Sequence, residues 1–131
     1  SQISKSIVGR TGINRYIKDM IAKAKSNVVI VATQENTERK AKLLKNFIQS
    51  FAKKGIKVKF YTPQNKAIGK KLQNVEYIEY SPHSNFVNVD NKEMLFLVSN
   101  QNVAPDFEVA IWINSPFFVN AVNVLFSESL K

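Results

Sequence analysis

A run of five apolar residues, Val-Val-Ile-Val-Ala at positions 28–32, constrains the fold of this chain more than any other segment. Such a run, with no polar residue on either face, is typical of a strand that helices cover on both sides of a sheet. Residues 10–25, which precede it, carry apolar side chains at three- and four-residue intervals and therefore indicate an amphipathic helix. Helix followed by buried strand predicts an α/β domain with residues 28–32 as a central strand.

The remaining segments continue this alternation. Thr37 as N-cap and Gly55 as the left-handed residue after the last turn predict a second helix over residues 37–54. Ile56, Val58 and Phe60 alternate with polar neighbours, so a parallel strand should follow. Further elements are predicted at residues 65–72 (short helix), 75–80 (strand), 86–89 and 94–98 (hairpin), 109–113 (strand) and from 115 onward (helix). We expect an α/β fold with a mixed, largely parallel sheet flanked by helices on both faces.

Composition limits the chemistry. The chain has 131 residues, of which 44% are hydrophobic, and this suits a single domain over residues 1–131. It contains no cysteine and no apolar run near the length of a membrane span, so we expect no thiolate metal site, no redox chemistry, no cofactor and no membrane insertion. The polar start without an initiator Met is compatible with a fragment of a longer protein.

Positive charge is concentrated in the first half. Residues 1–71 contain 17 Lys or Arg and three acids, whereas residues 72–131 contain two Lys and seven acids. Lys53, Lys54, Lys57 and Lys59 are therefore candidates for contacts with nucleic-acid phosphates. A solvated surface is the alternative that the aromatic residues favour, because they occupy core-like positions instead of alternating with the lysines.

One stretch has the pattern of a catalytic motif. His83, Asn85 and Asp90 resemble the H-x-K-x4-D motif of the phospholipase D superfamily, with Asn85 in the place of the lysine. That resemblance implies a nucleophilic histidine, a phosphate-binding lysine and a supporting aspartate. An amide has no positive charge to balance the charge that develops on a phosphoryl group, so we expect no catalytic residues here. Asn100 falls in the register of the superfamily's G-S-x-N turn, which lacks its glycine in this chain.

The order of several segments resembles the phospholipase D-like region of archaeal TrmB-type transcription regulators. The segments are Ile-Val-Gly-Arg at 7–10, Lys-Lys-Gly-Ile-Lys-Val at 53–58 and Ala-Ile-Trp-Ile-Asn-Ser-Pro at 110–116. This resemblance implies one half of a phospholipase D fold, a cytoplasmic homodimer whose motifs meet, and a small, sugar-like effector. The candidate ligand residues are His83, Asn85, Asn100 and Trp112, and DNA would be bound through a region outside this chain.

Three functions fit these observations. We prefer a non-catalytic domain of a TrmB-like regulator that supplies effector binding or dimerisation, with a hydrogen-bonded His83–Asp90 pair retained for structure. The second is a phosphodiesterase or nuclease of the phospholipase D superfamily, with His83 as nucleophile. The third is a basic nucleic-acid-binding module, whose affinity would fall steeply with salt.

Overall fold

A computed structural model describes residues 2–63, 72–100 and 102–131, and within them seven strands and four helices. The strands are β1 Ser4–Val8, β2 Asn27–Val31, β3 Lys57–Thr62, β4 Val75–Glu79, β5 Asn85–Val89, β6 Glu93–Leu97 and β7 Val109–Asn114. The helices are α1 Arg10–Ala22, α2 Gln34–Lys45, α3 Ile48–Lys54 and α4 Pro116–Ser129. In the described part of the chain, no helix combines the length and the hydropathy that a membrane span requires.

All seven strands form one sheet in the order β1-β7-β6-β5-β2-β3-β4. The predicted mixed sheet is confirmed, but it is not largely parallel. Only β2, β3 and β4 pair in parallel, whereas the other four pairings are antiparallel. The parallel part is small because the hairpin β5–β6 and the following β7 join the sheet beside β2 without crossover helices.

The two ends of the sheet are distinguished by the strands that begin or finish there. At one end β2 and β3 finish and β5 begins, because β2 runs parallel to β3 and antiparallel to β5. β1 and β6 also finish there and β7 begins there. We call this the motif end, and the opposite end, which holds the β5–β6 turn, the hairpin end.

Helices cover both faces, as predicted. α1, α2 and α3 share one core with the inner face of β2 and β3, and their buried residues include Ile17, Met20, Leu44 and Phe51. α4 lies on the other face, where Val119 packs with Val31, Tyr61, Phe86 and Met94. The run at 28–32 is buried between the two layers, as a central strand requires.

Three local predictions differ from the structure. The helix predicted over residues 37–54 is two helices, α2 and α3, and α2 begins after Thr33 instead of Thr37. Thr37 is buried inside α2, where its hydroxyl donates to the Thr33 carbonyl at 3.0 Å. β1 was not predicted because its Ser and Lys side chains hide the strand pattern of an edge strand. The short helix predicted at 65–72 lies outside the described residues, except for Leu72.

Asp90 joins the hairpin to the rest of the domain. It lies in the β5–β6 turn with φ 58°, beside Asn91 at φ 56°, and this left-handed pair suits a tight hairpin. Its carboxylate accepts the backbone N–H groups of Lys25, Ser26 and Asn27 at 2.9, 2.8 and 3.0 Å. Burial raises the pKa of Asp90, but the backbone hydrogen bonds outweigh it and hold that pKa below its usual range.

Asp90→Asn should therefore lower the free energy of unfolding at pH 7 by about 1–3 kcal/mol, since hydrogen bonds to a carboxylate are lost. The folded-state pKa is below the unfolded value of about 3.9, so the difference between the two proteins should persist above that pH. It should vanish as the pH falls through the folded pKa. Urea denaturation from pH 7 to pH 2 measures this, with the exposed Asp106→Asn as control. A difference that grows on acidification would contradict the role of Asp90.

Candidate functional site at the motif end

Asn85, the first residue of β5, is buried and fixed as a hydrogen-bond acceptor. Its Oδ1 accepts the backbone N–H of Thr33 at 2.7 Å and the Thr33 hydroxyl at 3.1 Å. These bonds tie the start of β5 to the turn between β2 and α2. The motif position that should bind phosphate through a lysine therefore presents a neutral amide whose oxygen is already engaged.

His83 and Asp90 do not form the predicted pair. His83 is exposed two residues before β5 and makes no hydrogen bond or ion pair with any described residue. Asp90 follows the other end of β5 and bonds to the α1–β2 turn. A fully extended strand of this length separates them by roughly 20 Å, so the motif spacing spans the sheet instead of bringing the two side chains together.

Two other ligand candidates lie in different surroundings. Asn100 is exposed at the motif end, and its side chain accepts the Asn102 N–H of its own turn at 2.8 Å. Trp112 pairs with Leu95 in mid-sheet and donates its indole N–H to Glu93 at the hairpin end, at 2.7 Å. The motif end thus brings together the first three candidates, His83, Asn85 and Asn100, but not Trp112.

The four lysine candidates lie together at the hairpin end. Lys53 and Lys54 end α3, and Lys57 and Lys59 are exposed on β3. Lys59 stands in register with Glu76 of β4, which partly offsets its charge. Lys57 and Lys59 line an open cavity of about 490 Å³.

The structure adds a group of polar side chains at the motif end that the sequence did not reveal. Thr33, Asn36, Thr37 and Thr62 are buried there, and the Thr37 and Thr62 hydroxyl oxygens lie 2.5 Å apart. Asn36 donates to the Thr33 hydroxyl at 3.3 Å and accepts a short hydrogen bond from Arg39. We call this series, Asn85–Thr33–Asn36–Arg39, the polar relay.

A cluster of cations adjoins the polar relay. Arg10, at the start of α1, forms a two-point ion pair with Glu108 at 2.8 and 3.2 Å. The hydrogen bond to Glu108 raises the pKa of Arg10, whereas burial and the charge of Arg10 lower the pKa of Arg39. Burial, followed by the charge of Arg39, lowers the pKa of Lys40 to about 8. We call Arg10, Arg39, Lys40 and Glu108 the cation cluster.

These residues could have been noticed in part from their spacing. Thr33, Asn36, Thr37 and Lys40 recur at three- and four-residue intervals, as on one face of a helix. That face is polar yet turned inward, which helix propensity alone does not indicate.

In the described residues no cluster of His, Cys, Asp and Glu is suited to hold a metal ion. The polar relay and the cation cluster can form hydrogen bonds and attract anions.

Asn85→Ala should lower the free energy of unfolding by about 1–3 kcal/mol, because a buried Thr33 N–H loses its acceptor. Asn85→Asp keeps the accepting oxygen and should cost less at pH 7. Chemical denaturation of both variants measures the difference, with the exposed Asn100→Ala as control. Equal stability of wild type and Asn85→Ala would show that the Thr33 contact contributes nothing.

No protein-family model and no curated protein sequence matches the chain. Solved structures do match it. They include TrmBL2, an archaeal chromatin protein reported to show a novel mode of DNA binding, with a TM-score of 0.76, 16% identity and coverage of 98% of this chain. The chain spans about half of that protein, 52% of its length.

Two further structures share the fold. NucT from Helicobacter pylori has a TM-score of 0.72, 17% identity and coverage of 97% of this chain and 94% of its own. Phosphatidylserine synthase from Haemophilus influenzae Rd KW20 has a TM-score of 0.57, 16% identity and coverage of 96% and 37%. Both belong to the phospholipase D superfamily. The resemblance inferred from the sequence is thereby confirmed at the level of the fold: the chain has a phospholipase D-like fold that it shares with an archaeal TrmB-like protein.

Proposed function

We propose that this chain is a non-catalytic phospholipase D-like domain that provides effector binding and self-association to a TrmB-like transcription regulator. The observation that carries the proposal is the state of Asn85. Its oxygen serves two buried hydrogen bonds with Thr33, so this motif residue acts as a structural acceptor. A phosphoryl group would meet no cation at this position.

His83 supports the same conclusion. A histidine nucleophile needs a partner that fixes its tautomer and direction, as in other nucleophile pairs. No described residue bonds to His83, and Asp90 is engaged at the far end of β5. For the phosphodiesterase alternative, the motif position thus lacks its cation and His83 lacks a group that positions it.

The wild-type chain should not hydrolyse bis(p-nitrophenyl) phosphate or plasmid DNA above the rate in buffer, with or without EDTA. His83→Ala should behave identically, because no catalytic group is removed. The rates of both proteins at equal concentration provide the measurement. Cleavage that persists in EDTA and disappears in His83→Ala would establish an enzyme and overturn the proposal.

Self-association has a suitable surface on α4. Phe117 and Leu125 are 89% and 70% exposed, and Val124 and Phe118 are also exposed on this helix. Ile111 of β7 is exposed on the same face of the sheet. A helix that is apolar on its outer as well as its inner side is typical of an element with a further partner. We call Phe117, Phe118, Val124 and Leu125 the α4 surface.

Charge favours a second copy as that partner. Residues 109–127 contain no Lys, Arg, Asp or Glu, whereas the chain as a whole has a net charge of +9. Two copies that met through their motif ends would oppose one cation cluster to another. Contact through the α4 surface avoids this repulsion, and two-fold self-pairing is the commonest oligomer type.

Phe117→Glu combined with Leu125→Glu should convert a dimer into a monomer, because four carboxylates would enter one apolar interface. Light scattering after size exclusion measures the mass of wild type and variant. Ile3→Glu, at an exposed residue before β1, is the matched control and should leave the dimer intact. A monomeric wild type, or a dimer unaffected by the double substitution, would contradict assignment of this surface.

In this proposed role, residues 1–131 are one domain of a longer cytoplasmic regulator that contacts DNA elsewhere. This role is supported by the coverage of only half of the archaeal chromatin protein. The lysines at the hairpin end are the second candidate for nucleic acid. Their grouping at the end of α3 and on β3 is the observation in its favour.

A further inference from the structure

The cation cluster contains more positive than negative charge. Arg10 binds the carboxylate of Glu108 at two points, and the charge of Glu108 also acts on Arg39 and Lys40. The charge of Glu35 also raises the pKa of Arg39, but this acid is exposed in the first turn of α2. Solvent screens an exposed acid, so the half-buried cations keep an excess of charge.

Lys40 shows the consequence of that excess. It is half-buried, and it forms no ion pair or hydrogen bond with any described residue. Burial and the neighbouring Arg39 and Arg10 lower its pKa to about 8, although Glu108 acts in the opposite direction. A half-buried ammonium group without a partner is less favourable than a solvated one, and an anion beside it would offset that penalty.

One hydrogen bond holds Arg39 in place, and the other N–H groups of its guanidinium form no hydrogen bond with a described residue. Its one hydrogen bond to a described residue is to Asn36, which the polar relay anchors through Thr33 to Asn85. The remaining N–H groups form a planar fork that suits two oxygens of one oxyanion. The position of this fork therefore depends on Asn85, the residue in place of the motif lysine.

A groove next to Arg39 offers room for the rest of a ligand. It lies between α1 and α2 and has a volume of about 260 Å³. Its lining is mostly polar or basic: Asn14, Lys18, Arg39, Lys42, Leu43 and Asn46. Amide side chains in this setting suit hydroxyl groups better than apolar ones.

We propose that Arg39 and Lys40, with Arg10 beside them, bind the phosphate group of a small hydroxylated phosphomonoester whose remainder lies in the α1–α2 groove. This inference deepens the proposed regulatory function by naming the effector class. It requires neither hydrolysis nor dimerisation. Duplex DNA is a poorer fit, because Arg39 and Lys40 are half-buried and none of the described residues that line the groove is aromatic.

Isothermal titration with inorganic phosphate, a hexose 6-phosphate and the unphosphorylated hexose tests this at constant ionic strength in chloride. The wild type should bind the two phosphates saturably, the ester more tightly, and the free hexose far more weakly. Arg39→Gln and Lys40→Gln should each weaken phosphate binding by roughly 10-fold or more. The matched controls Arg15→Gln, on an exposed part of α1, and Lys53→Gln, at the hairpin end, should stay within about twofold.

Lys40 itself gives a second readout that does not depend on substitution. Side-chain NMR of the wild type should show the pKa of Lys40 rising when phosphate is added, because a bound anion favours the ammonium form. Glu108, Arg39 and Arg10 act on this group in both states. An unchanged Lys40 titration at saturating phosphate would overturn the assignment even if a variant failed to fold.

Other outcomes are equally decisive. Equal losses of affinity in all four variants would indicate diffuse surface charge and refute the site. Binding of duplex DNA that Arg39→Gln abolishes, with no binding of the phosphomonoester, would also refute it. Failure of the regulatory proposal is seen separately, as hydrolysis that depends on His83 or as a monomeric wild type, and neither result alters the phosphate titration.

Discussion

The hydrogen bonds from Thr33 to Asn85 fix the geometry of the whole motif end. They join the first residue of β5 to the turn in which β2 ends and α2 begins, so the antiparallel and parallel halves of the sheet meet at this contact. Because both partners are buried, losing either would leave an unsatisfied polar group in the core. Thr33 is also the N-cap of α2, so the same contact lies at the start of the helix that carries Arg39 and Lys40.

Replacement of a motif lysine by Asn85 does not leave the region neutral. The amide cannot carry charge, but through Thr33 and Asn36 it supports a guanidinium group one helical turn further on. Positive charge is thus supplied from α2 and α1 instead of from β5. The proposed oxyanion site consists of an arginine fork and a half-buried lysine, and it does not include His83, which has no hydrogen bond to a described residue.

The sequence predicted those features that depend on neighbouring residues. The apolar run at 28–32, the alternating Ile56, Val58 and Phe60, and the Ser115–Pro116 helix start each contain their own signal, and the structure agrees with all three. The edge strand β1 was missed because its pairing with β7 is made by backbone groups of polar residues. Arg10, Glu108 and the polar relay were missed for a related reason: 98 positions separate Arg10 from Glu108, and 52 separate Thr33 from Asn85. The His83–Asp90 pair was wrong because closeness in a motif was taken for closeness in space, although a whole strand lies between them.

The proposed regulatory role would need an element that can shift, and α4 is a helix with few fully buried residues. α1 buries four residues fully in the core, whereas α4, one residue longer, buries only Val119. In its last turns, Phe126 packs against Tyr61 and Tyr80, and the ring centroids of Tyr61 and Phe126 are 5.0 Å apart. Tyr61 is followed in β3 by Thr62, which points to the opposite face and contacts Thr37 of α2. Two adjacent residues of β3 therefore contact different elements: Thr62 contacts the polar side chains beside the cation cluster, and Tyr61 contacts the last turns of α4. Elements with few buried contacts are those that move at the lowest cost in free energy.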